Sequence, residues 1–282
     1  MTITIRALTR FEEFLELQQL HQTIWGIQAG LYPPMVNTAS QNGGVVLGAF
    51  DGERMVGFSF AFLGRHHDGS LKLCSQTTGF LPEYRGQGLG TAIKWAQFDR
   101  ARQMQIPLIT WTFDPLEAPN AYLNLHKLGG TSHTYKVNIY GEHFSRFGEG
   151  MPSDRLILEW WLEDERVNRL RQGETPPADP PPAPIINPAR GPGLTRKISR
   201  LELEHAAAEV LLEIPANIQA MRQSDMSLAR EWRFATRKAF QTYFQRGYTA
   251  VDVYKKRLNN EIRVYYALRN TGSTGNTEST DH

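Results

Sequence analysis

Gly79-Phe80-Leu81-Pro82-Glu83-Tyr84-Arg85-Gly86-Gln87-Gly88-Leu89-Gly90-Thr91 is the stretch from which the rest of this chain is read. Upstream, Leu71 to Phe80 is strand-like. Downstream, Leu89, Ala92, Ile93 and Ala96 recur at helical spacing, with no Gly or Pro between Gly90 and Pro107. The segment is therefore a tight strand-to-helix turn. Gly86, Gly88 and Gly90 leave backbone N–H groups unobstructed at a helix N-terminus, where the helix dipole also favours an anion. Arg85 can add a charge-assisted contact to the same group. This is the local chemistry of a pyrophosphate cradle.

Spacing narrows the kind of cradle. No Gly-Lys-Ser/Thr closes the loop, so it is not a P-loop. A dinucleotide fingerprint would follow the first strand of a βαβ pair and carry an acid about twenty residues on. Here the order is Arg-x-x-Gly-x-Gly after a Pro-Glu-Tyr turn, with Lys127-Leu128-Gly129 about forty residues later. That combination resembles the GNAT superfamily of acyl-CoA-dependent N-acyltransferases, whose Q/R-x-x-G-x-G/A loop holds the coenzyme A pyrophosphate. A glycine-rich turn without a ligand is the competing reading. The resemblance implies an α/β (α+β) fold with a central mixed, mostly antiparallel sheet flanked by helices. It implies acetyl-CoA or another acyl-CoA as co-substrate, and no metal. It assigns the donor's pyrophosphate to Arg85, Gly86, Gln87, Gly88, Leu89, Gly90 and Thr91.

With 282 residues the chain can bury a sizeable core, and 31 Lys and Arg against 29 Asp and Glu leave it close to neutral. Nothing in that balance suggests a nucleic-acid or anionic-membrane partner. Cys74 is the single cysteine, which excludes an intrachain disulfide and a Cys-based zinc cluster and suits a reducing cytoplasm. Its place in a strand-like run reads as an inert buried thiol. Met1 to Arg6 alternates like a strand and lacks the apolar stretch of a signal peptide, and no apolar run has transmembrane length. The expectation is a cytoplasmic protein.

Residues 175–193 hold eight of the 16 prolines, so this stretch lacks the donors for helix or sheet and reads as an extended tether or a wrap. It falls within a linker, 164–196, between an acyltransferase domain, 1–163, and a smaller segment, 197–269; a polar tail, 270–282, reads as disordered. The first segment reads as strand Ile3 to Ala7, helix Phe11 to Trp25, and a loop bearing Tyr32-Pro33-Pro34. Strands Val45 to Phe50 and Met55 to Leu63 follow, joined through Asp51-Gly52. After the cradle unit, with its helix Leu89 to Met104, come strand Ile109 to Phe113, helix Asn120 to Leu128, and strands Thr134 to Tyr140 and Leu156 to Leu162. This order matches that of the GNAT fold. The C-terminal segment reads β-α-β-β: Ala207 to Ile214, a helix capped by Asp225 with the stripe Leu228, Trp232, Ala235, Ala239 and Tyr243, then Tyr248 to Tyr254 and Ile262 to Leu268. Arg230, Arg233 and Arg237 fall on the opposite face, which reads as solvated. Seventy or so residues make a small core, so this segment is expected to pack on the first domain or to mediate a homodimer.

Acyl transfer from a thioester needs a polarised carbonyl, a deprotonated amine and a proton for the leaving thiolate. In the family the first task falls to backbone N–H groups where the fourth strand splays from the fifth. By position these are Gly79, Phe80 and Leu81. The family's Asn-x-x-Ala-x-x-x-Tyr-x-Lys-Leu-Gly-Phe stretch corresponds here to Ala118 through Gly130. Leu125 stands in place of the tyrosine that serves as acid, and Ala118 in place of the asparagine. Tyr122 and His126, one turn apart, are the substitute proton carriers, although both also read as ordinary packing residues. Asn120 and Asn124 could bond the pantetheine arm or simply decorate a helix start. Asp114 is a candidate base with Glu117 close behind, and Asp114-Pro115 also reads as a plain turn. His66-His67-Asp68 reads as a hairpin tip rather than a metal cluster. The loop Trp25 to Met35 and the region of Trp111 suit an apolar or amphipathic acceptor. Arg155 could bind an acceptor carboxylate or pair with Asp154 or Glu159. The expected partner is a small-molecule amine, possibly an amino acid; the alternative is a non-catalytic acyl-CoA-sensing module.

Overall fold

The computed structural model describes residues 2–28, 30–141 and 150–272. The remainder of the polar tail, 273–282, lies outside the described residues. Contacts group the chain into two compact units, one of residues 1–111 with 160–171 and one of residues 112–159 with 172–282. Each has a largely antiparallel sheet with helices packed on it. No helix among the described residues is long and apolar enough to cross a membrane.

The first unit runs β1 (Ile3–Ala7), α1 (Phe11–Trp25), α2 (Pro33–Gln41), β2 (Val45–Asp51), β3 (Arg54–Arg65), β4 (Leu71–Phe80), α3 (Leu89–Gln103) and β5 (Leu108–Phe113, to Trp111 in this unit). The end of β7 (Arg155–Trp161) and α5 (Glu165–Arg171) complete it. Its strands lie in the order β1-β2-β3-β4-β5, with β4–β5 the parallel pair. A capping box starts α1: the Glu13 carboxylate accepts from the N–H groups of Thr9 and Arg10 at 2.9 and 3.0 Å. Phe14, Leu17 and Leu20 then turn inward, and the helix stops at Gly26 with φ 61°. The prolines expected in a loop instead open α2. Pro33 and Pro34 occupy the first helical positions, where a fixed φ is favourable and a missing N–H costs nothing. On α3, Ile93, Phe98 and Ala101 face the core, and Trp160 packs against Trp95, Phe98 and Trp111.

The second unit contains α4 (Ala118–Ala121), a π-helical turn (Tyr122–Lys127), β6 (Thr131–Lys136), β7 up to Glu159, and the short pair β8 (Ala189–Arg190) and β9 (Lys197–Ile198). β10 (Glu209–Ile214), α6 (Ile218–Ser224), α7 (Met226–Gln245), β11 (Tyr248–Leu258) and β12 (Glu261–Asn270) follow. Its strand order is β7-β6-β11-β12-β10, antiparallel throughout. Asp225 caps α7 as expected, accepting from the Leu228 N–H at 2.9 Å. The solvated reading of the arginine face holds for Arg230 and fails for Arg233 and Arg237. Arg233 is 2% exposed and Arg237 is half-buried, because the buried face of α7 is wider than its apolar stripe and meets the carboxylates of Asp114 and Asp154. Within the proline-rich stretch, Ile186 donates to Leu211 O at 2.9 Å and Leu211 to Pro184 O at 2.8 Å. Pro184 and Pro188 leave Ile185 to Asn187 with free donors, so this piece of the wrap borders β10.

Candidate functional site

The glycine loop is held from below. After β4, residues Pro82–Tyr84 form a 3₁₀ turn, pinned by Tyr84 Oη donating to Asp51 at 2.9 Å and by an Arg54–Glu83 pair at 3.2 Å. Gly86 and Gly88 hold φ of 77° and 81°, and a Cβ on either would meet nothing within 4 Å. The chain thus turns through left-handed backbone into open space before α3 begins. Thr91 and Ala92 donate back to Gly88 O. Among the described residues the N–H groups of Leu89 and Gly90 have no acceptor, as the first turn of a helix requires. Arg85 Nε donates to Phe80 O at 3.0 Å and Gln87 Nε2 to Glu83 O at 2.9 Å, so both side chains are folded onto the loop they belong to.

β4 pairs with β5 through Leu73–Ile109 and Cys74–Thr110, and the ladder stops there, six residues before β4 ends. On the other side β4 stays paired with β3 up to Gly57–Phe80. Leu81 N–H donates to Val56 O at 3.0 Å, so it is committed to β3. Alternation along the strand sends the Gly79 N–H the same way and the Phe80 N–H toward the open edge. Of the three backbone donors expected from sequence, Phe80 alone points to the open side. Gly79 matters for another reason: a Cβ there would lie 2.4 Å from the Trp25 ring, which stacks on His21 at 4.6 Å. Burial lowers the pKa of His21, which favours its neutral form.

Asp114, Tyr122, His126, Asn120 and Asn124 all belong to the second unit. Asp114 is already bound: Arg233 Nη2 donates to its two oxygens at 2.7 and 2.6 Å and Leu116 N–H at 2.8 Å. Glu117 accepts from the Gln219 side chain, and burial raises its pKa. Tyr122 and His126 do come together, stacked at 4.5 Å with 23° between the rings. His126 Nδ1 lies 2.9 Å from Asp252 Oδ1, and the Lys255 ammonium sits 4.2 Å from the Tyr122 ring centre. Burial and then the Asp252 charge raise the Tyr122 pKa. Asn124 is buried and Asn120 exposed. Leu125, where the family's tyrosine would stand, is fully buried core.

Asp252 has no local sequence signal, since it meets His126 across 126 positions of chain. Arg155 donates to its neighbour's backbone, Asp154 O, at 2.8 Å, and its guanidinium lies 3.8 Å from the Asp114 carboxylate. The Asp154 side chain is taken by Arg237, Tyr135 Oη and Asn138 N–H. His66 to Ser70 form the expected hairpin tip, closed by His66 N–H to Ser70 O at 2.9 Å. Among the described residues no group of three or more His, Cys, Asp or Glu is arranged to hold a metal. A cavity of about 330 Å³ in the second unit is lined by Arg196, Glu213, Trp232, Glu261 and Arg263 among others. Its charges are paired, Arg196 with Glu213 and Arg263 with Glu261.

No family model and no curated protein matches the sequence. Among solved structures, the chain is similar to the ribosomal-protein-S18-alanine N-acetyltransferase from Escherichia coli at 15% identity and a TM-score of 0.46, over 58% of this chain and 96% of that one. It is similar to the NatC complex bound to Gag peptide and CoA at 14% identity and a TM-score of 0.46, over 57% and 99%. An acetyltransferase of the GNAT family from Streptococcus pneumoniae aligns at 14% identity and a TM-score of 0.45, over 56% and 98%. Likeness at this level assigns no activity to the chain.

Proposed function

We propose that this protein is an acyl-CoA-dependent N-acyltransferase, moving an acetyl or larger acyl group to the amine of a small molecule by direct transfer in a ternary complex. The observation that carries this reading is the bare N-terminus of α3, reached through left-handed Gly86 and Gly88, directly after a strand whose edge is unpaired beyond Cys74. Leu89 and Gly90 N–H groups and the helix dipole hold the donor's pyrophosphate. Arg85 adds charge once its side chain leaves Phe80 O. The open edge of β4 takes the pantetheine amide as an added strand would. Phe80 N–H donates to the thioester oxygen, where negative charge develops as the amine attacks. The C–N bond forms, the C–S bond breaks, and the thiolate takes up a proton. Tyr122 and His126 are the proton carriers of this reading, with Asp252 fixing the imidazole tautomer.

The burial of Leu125 favours a second reading, a module that binds acyl-CoA without turning it over. Mixing the protein with acyl-CoA and a library of amines, and following free thiol, separates the two. Release with at least one amine supports the enzyme. Tight acyl-CoA binding with no release from any amine leaves the sensing module. Thermal-shift ranking of CoA, ATP and NAD tests the donor, since a ligand at a hundred times its Kd adds about 2.7 kcal/mol. A larger shift with ATP or NAD than with CoA overturns both readings.

A further inference from the structure

The cavity of about 330 Å³ in the second unit is formed by three segments: the 3₁₀ turn Gly193–Thr195, the stretch from Glu213 to Asn217 that leads β10 into α6, and the β11–β12 turn. Its buried lining is apolar, made by Ile214, Met221 and Trp232. The Trp232 indole N–H is spent on Arg196 O at 2.9 Å, so the ring adds no unmet donor. Leu194 and Ile262 are exposed apolar residues of the same lining. The walls are set by backbone: Asn259 and Asn260 hold φ of 48° and 62° where β11 turns into β12, and Asn217 caps α6 by accepting from Ala220 N–H at 3.0 Å. Four charged side chains reach the cavity. Arg196 donates to the two Glu213 oxygens at 2.5 and 3.0 Å, which ties the wrap to β10. Glu261 accepts from Gly193 N–H at 2.9 Å and from Arg263 Nη2 at 2.6 Å. These pairs leave capacity unspent. Among the described residues Arg263 Nε and Nη1 have no acceptor, nor has Asn217 Nδ2, and each glutamate oxygen accepts one of these bonds where it has room for two.

The charges of the lining cancel, two guanidiniums against two carboxylates. A small anion entering here would meet the glutamates and a small cation the arginines, whereas a neutral ligand with separated charges meets a partner for each. The spare N–H groups, the spare carboxylate lone pairs and the apolar lining are satisfied together by a zwitterion with an apolar side chain. We propose that this cavity binds a free amino acid of the leucine, methionine or phenylalanine class. Its carboxylate goes to the Arg263 guanidinium and Asn217 Nδ2, its ammonium to the Glu261 and Glu213 carboxylates, and its side chain to Ile214, Met221 and Trp232. At about 30 Å³ for each group of water size the cavity holds about eleven of them, which suits a single amino acid and excludes a peptide. A concave, mostly apolar pocket with a few polar groups is the form that small-molecule sites take. Every lining residue belongs to the second unit, so the proposal needs neither the glycine loop nor the acyl-CoA reading.

The test is calorimetric titration of the full chain, without CoA, with leucine, methionine, phenylalanine, glycine, leucinamide and N-acetyl-leucine. At least one of the first three is expected to bind with a Kd below about 1 mM. Glycine, leucinamide and N-acetyl-leucine, which lack the side chain, the carboxylate and the ammonium in turn, are each expected to bind at least about tenfold more weakly. Asn217→Asp keeps the oxygen that caps α6 and puts a second carboxylate oxygen in place of the Nδ2 donor, so it should melt close to wild type and lose at least about tenfold in affinity for the amino acid. Arg263→Met should lose at least as much; if it does not fold, Asn217→Asp decides alone. Binding of N-acetyl-leucine or leucinamide as tightly as leucine overturns the zwitterion. Unchanged amino-acid affinity in the folded variants overturns the placement, because the ligand then sits elsewhere. No binding of leucine, methionine or phenylalanine overturns the site. CoA titrated into the same samples reports separately on the acyl-CoA reading, and its affinity should be the same in both variants as in wild type.

Discussion

Replacing Gly88 with alanine separates what the loop does for folding from what it does for binding. Gly88 holds φ 81° just before α3, and a Cβ there meets nothing within 4 Å. In the free protein the cost is therefore torsional alone, roughly 1–2 kcal/mol for an L-residue in left-handed backbone. At roughly 2–4 °C per kcal/mol, the melting temperature falls by several degrees and the fold survives. The cradle reading adds a second cost that appears only with ligand, because a methyl group then stands where phosphate oxygens must approach the N–H groups of Leu89 and Gly90. A loss of about tenfold or more in CoA affinity is expected, which is about 1.4 kcal/mol or more. Asparagine tolerates left-handed backbone, so Gly88→Asn should recover most of the stability and none of the affinity. Thermal melts report the first effect and CoA titration calorimetry the second. Wild-type CoA affinity in both folded variants would refute the assignment of this loop to the pyrophosphate.

Two further expectations concern ion pairs within each unit. The Glu13 side chain is 5% exposed; burial alone would raise its pKa, but the N–H groups of Arg10 and Thr9 and the Arg6 guanidinium outweigh it and lower the value from 4.5 to about 2. A lowered folded-state pKa gives stability that is present above the unfolded value and lost as pH falls from about 4.5 toward 2. At about 1.36 kcal/mol per pH unit this is on the order of 3 kcal/mol, so Glu13→Gln should be the less stable protein at pH 7 and approach wild type near pH 2. A difference in urea midpoint that stays constant over that range contradicts it. Arg233→Leu leaves Asp114 without its buried partner and should cost about 3–5 kcal/mol, whereas adding Asp114→Asn should restore part of that loss. Strict additivity in chemical denaturation would show that the two are not coupled.

The parts of the fold that could be read from sequence are those fixed by near neighbours. The cradle unit was legible because strand, glycine turn and helix follow one another within a few dozen residues, each with its own periodicity. Asp225 was legible as a cap for the same reason. The α2 helix was missed because two prolines signal a loop unless they sit in the first helical turn. What sequence order hides are the partners brought together by the sheet. Asp252 reaches His126 and Arg233 reaches Asp114 across more than a hundred residues, so Arg233 looked like one of three equivalent surface arginines. The assignment of the strand-end donor turned on parity. Which of Gly79, Phe80 and Leu81 faces the open edge depends on register with β3, and the bond from Leu81 to Val56 O sets it.

The interleaving of the two units in the chain has a consequence for biosynthesis. The first unit uses residues 1–111 and then 160–171, so the chain leaves it, builds 112–159, and returns. Trp160, which packs against Trp95, Phe98 and Trp111, is thus made about fifty residues after Trp111. At ribosomal rates of about 5–20 residues per second, the glycine loop and its helix wait for roughly 3–10 s before their last aromatic wall exists. The unit that carries the glycine loop is encoded early and finished late.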